Sequence, residues 1–298
     1  MVGSFEEAKV TVPALMASKG QRRITMLTAY DFTFARLADR AGVDVLLVGD
    51  SLAMVVQGHQ NTLGVTMDEM VYHTRMVARA SERALVLADM PFLSYQVSPE
   101  EALANAGRFI KESGAEAVKL EGGVNMAATV ERLVAVDIPV VGHIGLTPQS
   151  VHRMGGHKVQ GRRSGKAPGA RQRLIEDARA LEEAGASMVV IEGVPAELAA
   201  EITGAIEVPT IGIGAGPDCD GQVLVMNDVL GLEDRIAPKF VKRYAELAAE
   251  TGRAISDYVD EVRAGDFPAQ EHCFTAPRAL RGASNRRATP IRGARTKR

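Results

Sequence analysis

Tryptophan is absent from this 298-residue chain, and aromatic residues make up only 4% of it. Single-stranded nucleic acids are commonly held on aromatic stacking platforms, so that class of function is set aside. Cysteine is almost as scarce. Cys219 and Cys273 lie too far apart for a zinc motif or a disulfide framework, and they suit a reducing compartment. No apolar run approaches the ~18 residues that a membrane span needs. Residues 1–9 hold two glutamates and no apolar h-region, so no secretory signal is expected and the chain is placed in the cytoplasm. Acid is missing from the last stretch. Thr275 to Arg298 carries seven arginines and one lysine, which leaves the rest of the chain at −10 against an overall −2. With little to bury, residues 275–298 are expected to be a disordered basic extension. No membrane or nucleic-acid partner is expected.

What is present is a repeat of strand, loop and helix. Hydrophobic residues are 46% and charged residues 24%, as in soluble globular proteins. Continuous apolar runs at 24–30, 45–50, 85–90, 117–122, 139–145, 188–193, 209–214 and 223–227 suit parallel strands buried on both faces. Helical patterns lie between them. Phe32–Ala41 follows Asp31, Met67–Ala80 follows Thr66, Pro99–Ser113 follows Ser98, and Arg171–Ala184 ends at Gly185. Eight strands favour one (β/α)8 TIM barrel over residues 1–274. Only Ala215 to Gln222 separates strands seven and eight, too little for an ordinary crossover, so the seventh helix must be missing or reduced. Thr11 to Lys19 is read as a helix closing the lower end. Two long connections, 57–66 and 145–169, are candidate binding loops, the second a candidate lid. The glycines of Gly212 to Gly216 are read as a backbone turn at the rim, since no dinucleotide fingerprint surrounds them.

Five of the apolar runs end on a residue able to bind a metal or move a proton: Asp50, Asp89, Glu121, His143 and Glu192. Barrel active sites sit at the C-terminal strand ends, so these five should share a cavity. Asp50, Asp89 and Glu121 come from neighbouring strands, and three carboxylates this close repel unless they bind a cation or share protons. Their hard oxygens suit Mg²⁺. Lys119 is two residues before Glu121, hence on the same strand face, and can meet a substrate carboxylate or pair with Glu121 or Asp89. Glu192, across the barrel, suits a general base. His143 can polarise a group or shuttle a proton, or it can be a satisfied wall residue. The bland alternative has each acid capping a helix or pairing with an arginine.

Several phrases together resemble the ketopantoate hydroxymethyltransferase (3-methyl-2-oxobutanoate hydroxymethyltransferase) family. They are Val48-Gly-Asp-Ser-Leu52, Val56-Gln-Gly-His59, Tyr72-His-Thr74, Ala88-Asp-Met-Pro-Phe92, Val118-Lys-Leu-Glu-Gly122, Gly142-His-Ile-Gly-Leu-Thr-Pro-Gln-Ser150, Lys158-Val-Gln-Gly-Arg162 and Ile211-Gly-Ile-Gly-Ala-Gly216. The resemblance runs from about residue 5 to Phe274. It implies a barrel like those of phosphoenolpyruvate mutase and isocitrate lyase. It also implies transfer of a one-carbon unit from 5,10-methylenetetrahydrofolate to 3-methyl-2-oxobutanoate, giving 2-dehydropantoate. By the same resemblance Asp50, Asp89 and Glu121 would bind Mg²⁺, and Asp50, Ser51, Asp89 and Lys119 would contact the keto acid. Glu192 would accept the proton, and the chain would form a homo-oligomer, commonly a decamer in the family. The chain departs from the family pattern at Asn227, where His-Asp is common, and at His157, where an aromatic is common. The tail after Phe274 has no counterpart in short bacterial members. Two other readings stay open. One is a Mg²⁺-dependent 2-oxo-acid lyase or mutase, which a reactive cysteine motif after strand three or four would favour and which this chain lacks. The other is a catalytically silent barrel, which loss of an acid would favour.

Overall fold

The structure is a computed structural model that describes residues 8–162, 169–235 and 238–275. The chain divides into two compact units, residues 1–248 and 249–298. The first holds eight parallel strands: β1 (Ile24–Thr28), β2 (Val45–Val48), β3 (Leu85–Asp89), β4 (Ala117–Glu121), β5 (Val140–Gly145), β6 (Met188–Glu192), β7 (Thr210–Ile213) and β8 (Gly221–Leu224). Each pairs with the next, and β8 returns to β1, closing the barrel.

Eleven helices are described, α1 (Val12–Met16), α2 (Phe32–Arg40), α3 (Leu52–Val55), α4 (Met67–Ala80), α5 (Pro99–Arg108), α6 (Ala127–Val134), α7 (Val151–Met154), α8 (Ala170–Glu183), α9 (Ala196–Ala205), α10 (Met226–Val229) and α11 (Leu247–Ala264). Their ends follow local chemistry. Thr66 and Glu69 form a reciprocal capping box at the start of α4. Ser98 caps α5 ahead of Pro99. The pattern predicts one helix to Ser113, but after Arg108 the backbone widens into a π-type turn over Phe109–Ser113. Phe109 is fully buried there, and the Ser113 hydroxyl donates to its carbonyl. Among the described residues no helix is long and apolar enough to cross a membrane.

Strands β7 and β8 are joined by Gly214–Asp220 without a helix, as the short spacing requires. The expected eighth strand at 223–227 is corrected to Gly221–Leu224. Gly221 packs where a side chain would strike the Ile24 carbonyl, so the strand begins at a residue with no apolar signal. Its expected end turns instead into α10, where the Met226 amide donates to Thr28 Oγ1. Gly212 to Gly216 is a strand end and a turn, as read.

Two apolar layers form the core. Val48, Val86, Val118, Leu120, Val189 and Ile191 face outward against the helices. Met26, Val45, Leu47, Leu85, Leu87, Ala117, Val141, Met188 and Val190 face inward and pack with Leu15 of α1, which closes the N-terminal end. Inward positions recur every second residue. Continuing that count leads from Leu87 to Asp89, from Ala117 to Lys119 and Glu121, from Val141 to His143, and from Val190 to Glu192. The barrel interior is thus apolar below and ionisable at the C-terminal end. Residues 276–298, most of the basic tail, and 163–168, the Gly/Pro-rich part of the candidate lid, lie outside the described residues.

Candidate active site

The seven residues singled out from sequence sit at the same end of the barrel. Asp89 and Glu121 end β3 and β4, Glu192 ends β6, and Asp50 and Ser51 follow β2 directly. Strand register places Asp89 beside Lys119 and Glu121 beside His143. Lys119 Nζ lies 2.8 Å from Asp89 Oδ1, with both side chains buried. Asp89 Oδ2 accepts from the Asp50 amide at 3.0 Å, which draws the two acids together. Ser51 Oγ is 2.8 Å from the buried Tyr30 hydroxyl.

Burial and mutual repulsion set the charges. Burial, with Asp89 adding repulsion, raises the Asp50 carboxyl to about 7 against the pull of Lys119. Glu121 is pushed well above the usual carboxylate range by burial and by Asp50. Burial works against the charge of Lys119, but Asp89, Glu121 and Asp50 outweigh it and raise its pKa. Burial also raises Glu192, to about 7. His143 is held neutral, far below its ordinary value, by burial and by Lys119.

His143 joins the two halves of the site. Lys119 Nζ is 3.3 Å from His143 Nδ1, and an ammonium can only donate. Nδ1 is therefore the acceptor and Nε2 carries the proton of the neutral ring. Nε2 stands 3.2 Å from Glu192 Oε2, near but off the line of a hydrogen bond. On the other side Glu121 Oε1 is 3.6 Å from Nδ1. Glu192 thus faces His143 rather than the acid trio directly, and its side chain keeps 18% exposure while the other ionisable members are nearly closed off.

Sequence reasoning misses Gln149, which lies inside the phrase 142–150 but has no chemistry of its own to announce it. It donates from Nε2 to Asp50 Oδ2 (2.8 Å) and to the Met90 carbonyl (3.0 Å). Its Oε1 accepts from Tyr95 and Gln96, and its amide donates to Glu121 Oε2. The only signal in sequence is its proximity to His143, because Gln149 belongs to a connection with no periodicity. The 57–66 connection brings Thr62, buried, beside Asp50. In the candidate lid the Gln160 amide donates to the Gly193 carbonyl at 2.9 Å, next to Glu192.

A divalent cation fits this donor set. Three buried carboxylates face one lysine, and Glu121 Oε1 is buried without a hydrogen bond. Among the described residues no three acids or histidines form a ready-made cage. Mg²⁺ commonly binds through one or two carboxylates and completes its shell with water and substrate oxygens, and the feature that fits it here is the buried Glu121 Oε1 without a hydrogen bond. A cavity of about 1100 Å³ meets the site at Glu121, His143 and Gln149, with Asn125, Arg153 and Arg173 farther out. Asp50, Asp89, Lys119 and Glu192 are not on its wall.

The barrel and its carboxylate-rich end are those of an α/β-barrel enzyme, with Glu192 set apart from Asp50, Asp89 and Glu121. Solved structures agree on the fold. The 2,3-dimethylmalate lyase, a PEP mutase/isocitrate lyase superfamily member, aligns at TM-score 0.57 with 18% identity, over 87% of this chain and 90% of its own. Phosphonopyruvate hydrolase, in complex with oxalate and Mg²⁺, aligns at 0.57 with 14% identity, over 88% and 92%. The family is fixed by sequence. Residues 9–270 match the ketopantoate hydroxymethyltransferase family, and this chain belongs to it. The 3-methyl-2-oxobutanoate hydroxymethyltransferase of Pelobacter propionicus is 60% identical over 89% of this chain and 97% of its own length.

Proposed function

We propose that this chain transfers a hydroxymethyl group from 5,10-methylenetetrahydrofolate to 3-methyl-2-oxobutanoate, giving 2-dehydropantoate and tetrahydrofolate on the route to pantothenate. The observation that carries the chemistry is Glu192, a partly accessible carboxylate raised to about 7, so that it can both take and return a proton near neutrality. Asp50 and Asp89, with Glu121, would hold Mg²⁺. When bound, Mg²⁺ supplies positive charge against the negative charge that develops on the keto acid oxygens. Lys119 and Ser51 orient the keto acid. Glu192 takes the C3 proton, and the Nε2–H of His143 faces the carboxylate that receives it. Water opens the methylene bridge of the folate, breaking both C–N bonds to give tetrahydrofolate and formaldehyde. The electron pair left at C3 adds to the formaldehyde carbon, and the new oxygen takes the proton that Glu192 holds.

The folate co-substrate is supported by the size of the cavity. A keto acid has eight non-hydrogen atoms, which need only about 240 Å³ even at the ~30 Å³ that a water occupies. The cavity offers about 1100 Å³. The guanidinium groups of Arg153 and Arg173 on its wall have no ion pair or hydrogen bond among the described residues, which suits the carboxylates of a glutamyl tail. The lyase or mutase reading is not favoured. The family match counts against it, and Cys219 lies just before β8, away from the C-terminal strand ends. A homo-oligomer of ten chains is proposed on the family resemblance, which light scattering tests, and a cytoplasmic location on the cysteine usage.

One assay tests the function. Keto acid and methylenetetrahydrofolate should yield 2-dehydropantoate with Mg²⁺ and not after chelation. Absence of Mg²⁺-dependent product refutes the reading.

A further inference from the structure

Gln149 has no place in the chemistry above, yet it makes five hydrogen bonds at the edge of the site. It lies on the single turn Pro148–Ser150 after β5 and is buried. Its partners come from three segments: Asp50 after β2, Met90, Tyr95 and Gln96 in the connection from β3 to α5, and Glu121 at the end of β4. The side-chain amide has two donors and an oxygen with two lone pairs, and all four are used. Its orientation is fixed, because the Met90 carbonyl and the Asp50 carboxylate accept and so must face the NH₂ group.

Two of these bonds go to groups that would meet the cation. The bond to Asp50 Oδ2 fixes the rotation of that carboxylate plane. The backbone bond to Glu121 Oε2 occupies one oxygen and leaves Oε1 as the buried oxygen without a hydrogen bond. One residue therefore sets the orientation of two carboxylates from different strands. Resting on the Mg²⁺ reading of the proposed function, we infer that Gln149 is a positioning residue that aligns Asp50 and Glu121 for the small, strictly octahedral Mg²⁺. Tyr95 is its outer support, donating to Gln149 Oε1 at 2.7 Å and accepting the Glu121 amide at 3.0 Å. Outer partners of this kind commonly contribute 10- to 100-fold in metal affinity. Misalignment should hurt Mg²⁺ more than Ca²⁺, whose coordination is looser.

The test is Gln149→Met, which keeps the length and removes the side-chain hydrogen bonds. Titration calorimetry with Mg²⁺ alone, on the full chain without substrate, should show at least tenfold weaker binding. Ca²⁺ affinity should fall several-fold less, so the Mg²⁺/Ca²⁺ ratio drops. Tyr95→Phe, which removes the outer support, should move the ratio in the same direction by less, and it decides the matter if Gln149→Met does not fold. Mg²⁺ affinity within twofold of wild type in a folded Gln149→Met protein overturns the inference. So does an equal loss of both ions, and so does an unchanged ratio in Tyr95→Phe. A wild-type chain that binds no Mg²⁺ overturns the metal reading itself, a result separate from any variant.

Discussion

Replacing Glu192 with glutamine should abolish chemistry and at the same time stabilise the protein. The carboxyl is raised from 4.5 to about 7, chiefly by burial. Between those values the folded protein keeps a proton that the unfolded chain has released, so stability falls as pH rises through that window. At pH 8 the ionised side chain then costs about 3 kcal/mol, since each tenfold change in an acidity constant is worth about 1.36 kcal/mol. Glutamine has no charge to bury. Glu192→Gln should gain about that amount at pH 8, or roughly 6–12 °C in Tm for a chain of this size. At pH 5 the gain should shrink to about 1 kcal/mol. The assay is a pair of thermal melts, at pH 8 and pH 5, with chelator present so that no cation offsets the charge. Deuterium exchange at C3 of 3-methyl-2-oxobutanoate should fall by at least about 100-fold in the same variant. A gain that is equal at both pH values, or absent at pH 8, would refute burial of a charged base. Exchange at the wild-type rate would refute Glu192 as that base.

For the wild-type enzyme, kcat/KM for C3 exchange should rise with pH along a limb centred near 7, because Glu192 must be ionised to accept a proton. A limb near 4.5 would show an unperturbed carboxylate. Lys119→Met leaves the buried Asp89 carboxylate without its cation and should cost about 3–5 kcal/mol by chemical denaturation. Adding Asp89→Asn should recover most of that loss, and no recovery would place the cost in packing instead. Gly145→Ala should cost about 1–3 kcal/mol of stability, read as a lower Tm, and should lower C3 exchange with it. Gly145 has φ +95°, and a side chain there would strike the Glu192 carbonyl. An unchanged Tm would show that the turn is not constrained.

The strand ends are legible in the sequence for a physical reason. Parallel strands buried on both faces are continuous apolar runs, so a charge at their end stands out, as it does at Asp89, Glu121 and Glu192. Period two then puts Lys119 on the same face as Glu121 without any structure. Gln149 and Tyr95 cannot be found this way. They come from connections, whose course depends on what they dock against. Strand β8 is displaced from its expected position because it opens on Gly221 and Gln222, neither of which has an apolar signal. His143 can be named but not assigned, since its tautomer follows from a distance to Lys119 that only the folded chain supplies.

The alternation along β4 has a consequence for folding. Val118 and Leu120 lie in the outer apolar layer, while Ala117, Lys119 and Glu121 point into the barrel. A slip of one residue would exchange the two sets. It would press an ammonium and a carboxylate against hydrocarbon under the helices, at several kcal/mol per ion, and would turn Val118 and Leu120 into the reaction space. A barrel strand of valines and leucines alone would pay for such a slip in packing only. Here the residues proposed for catalysis also serve as punctuation that makes wrong pairings expensive, so their loss should broaden the set of misregistered states as well as silence the enzyme.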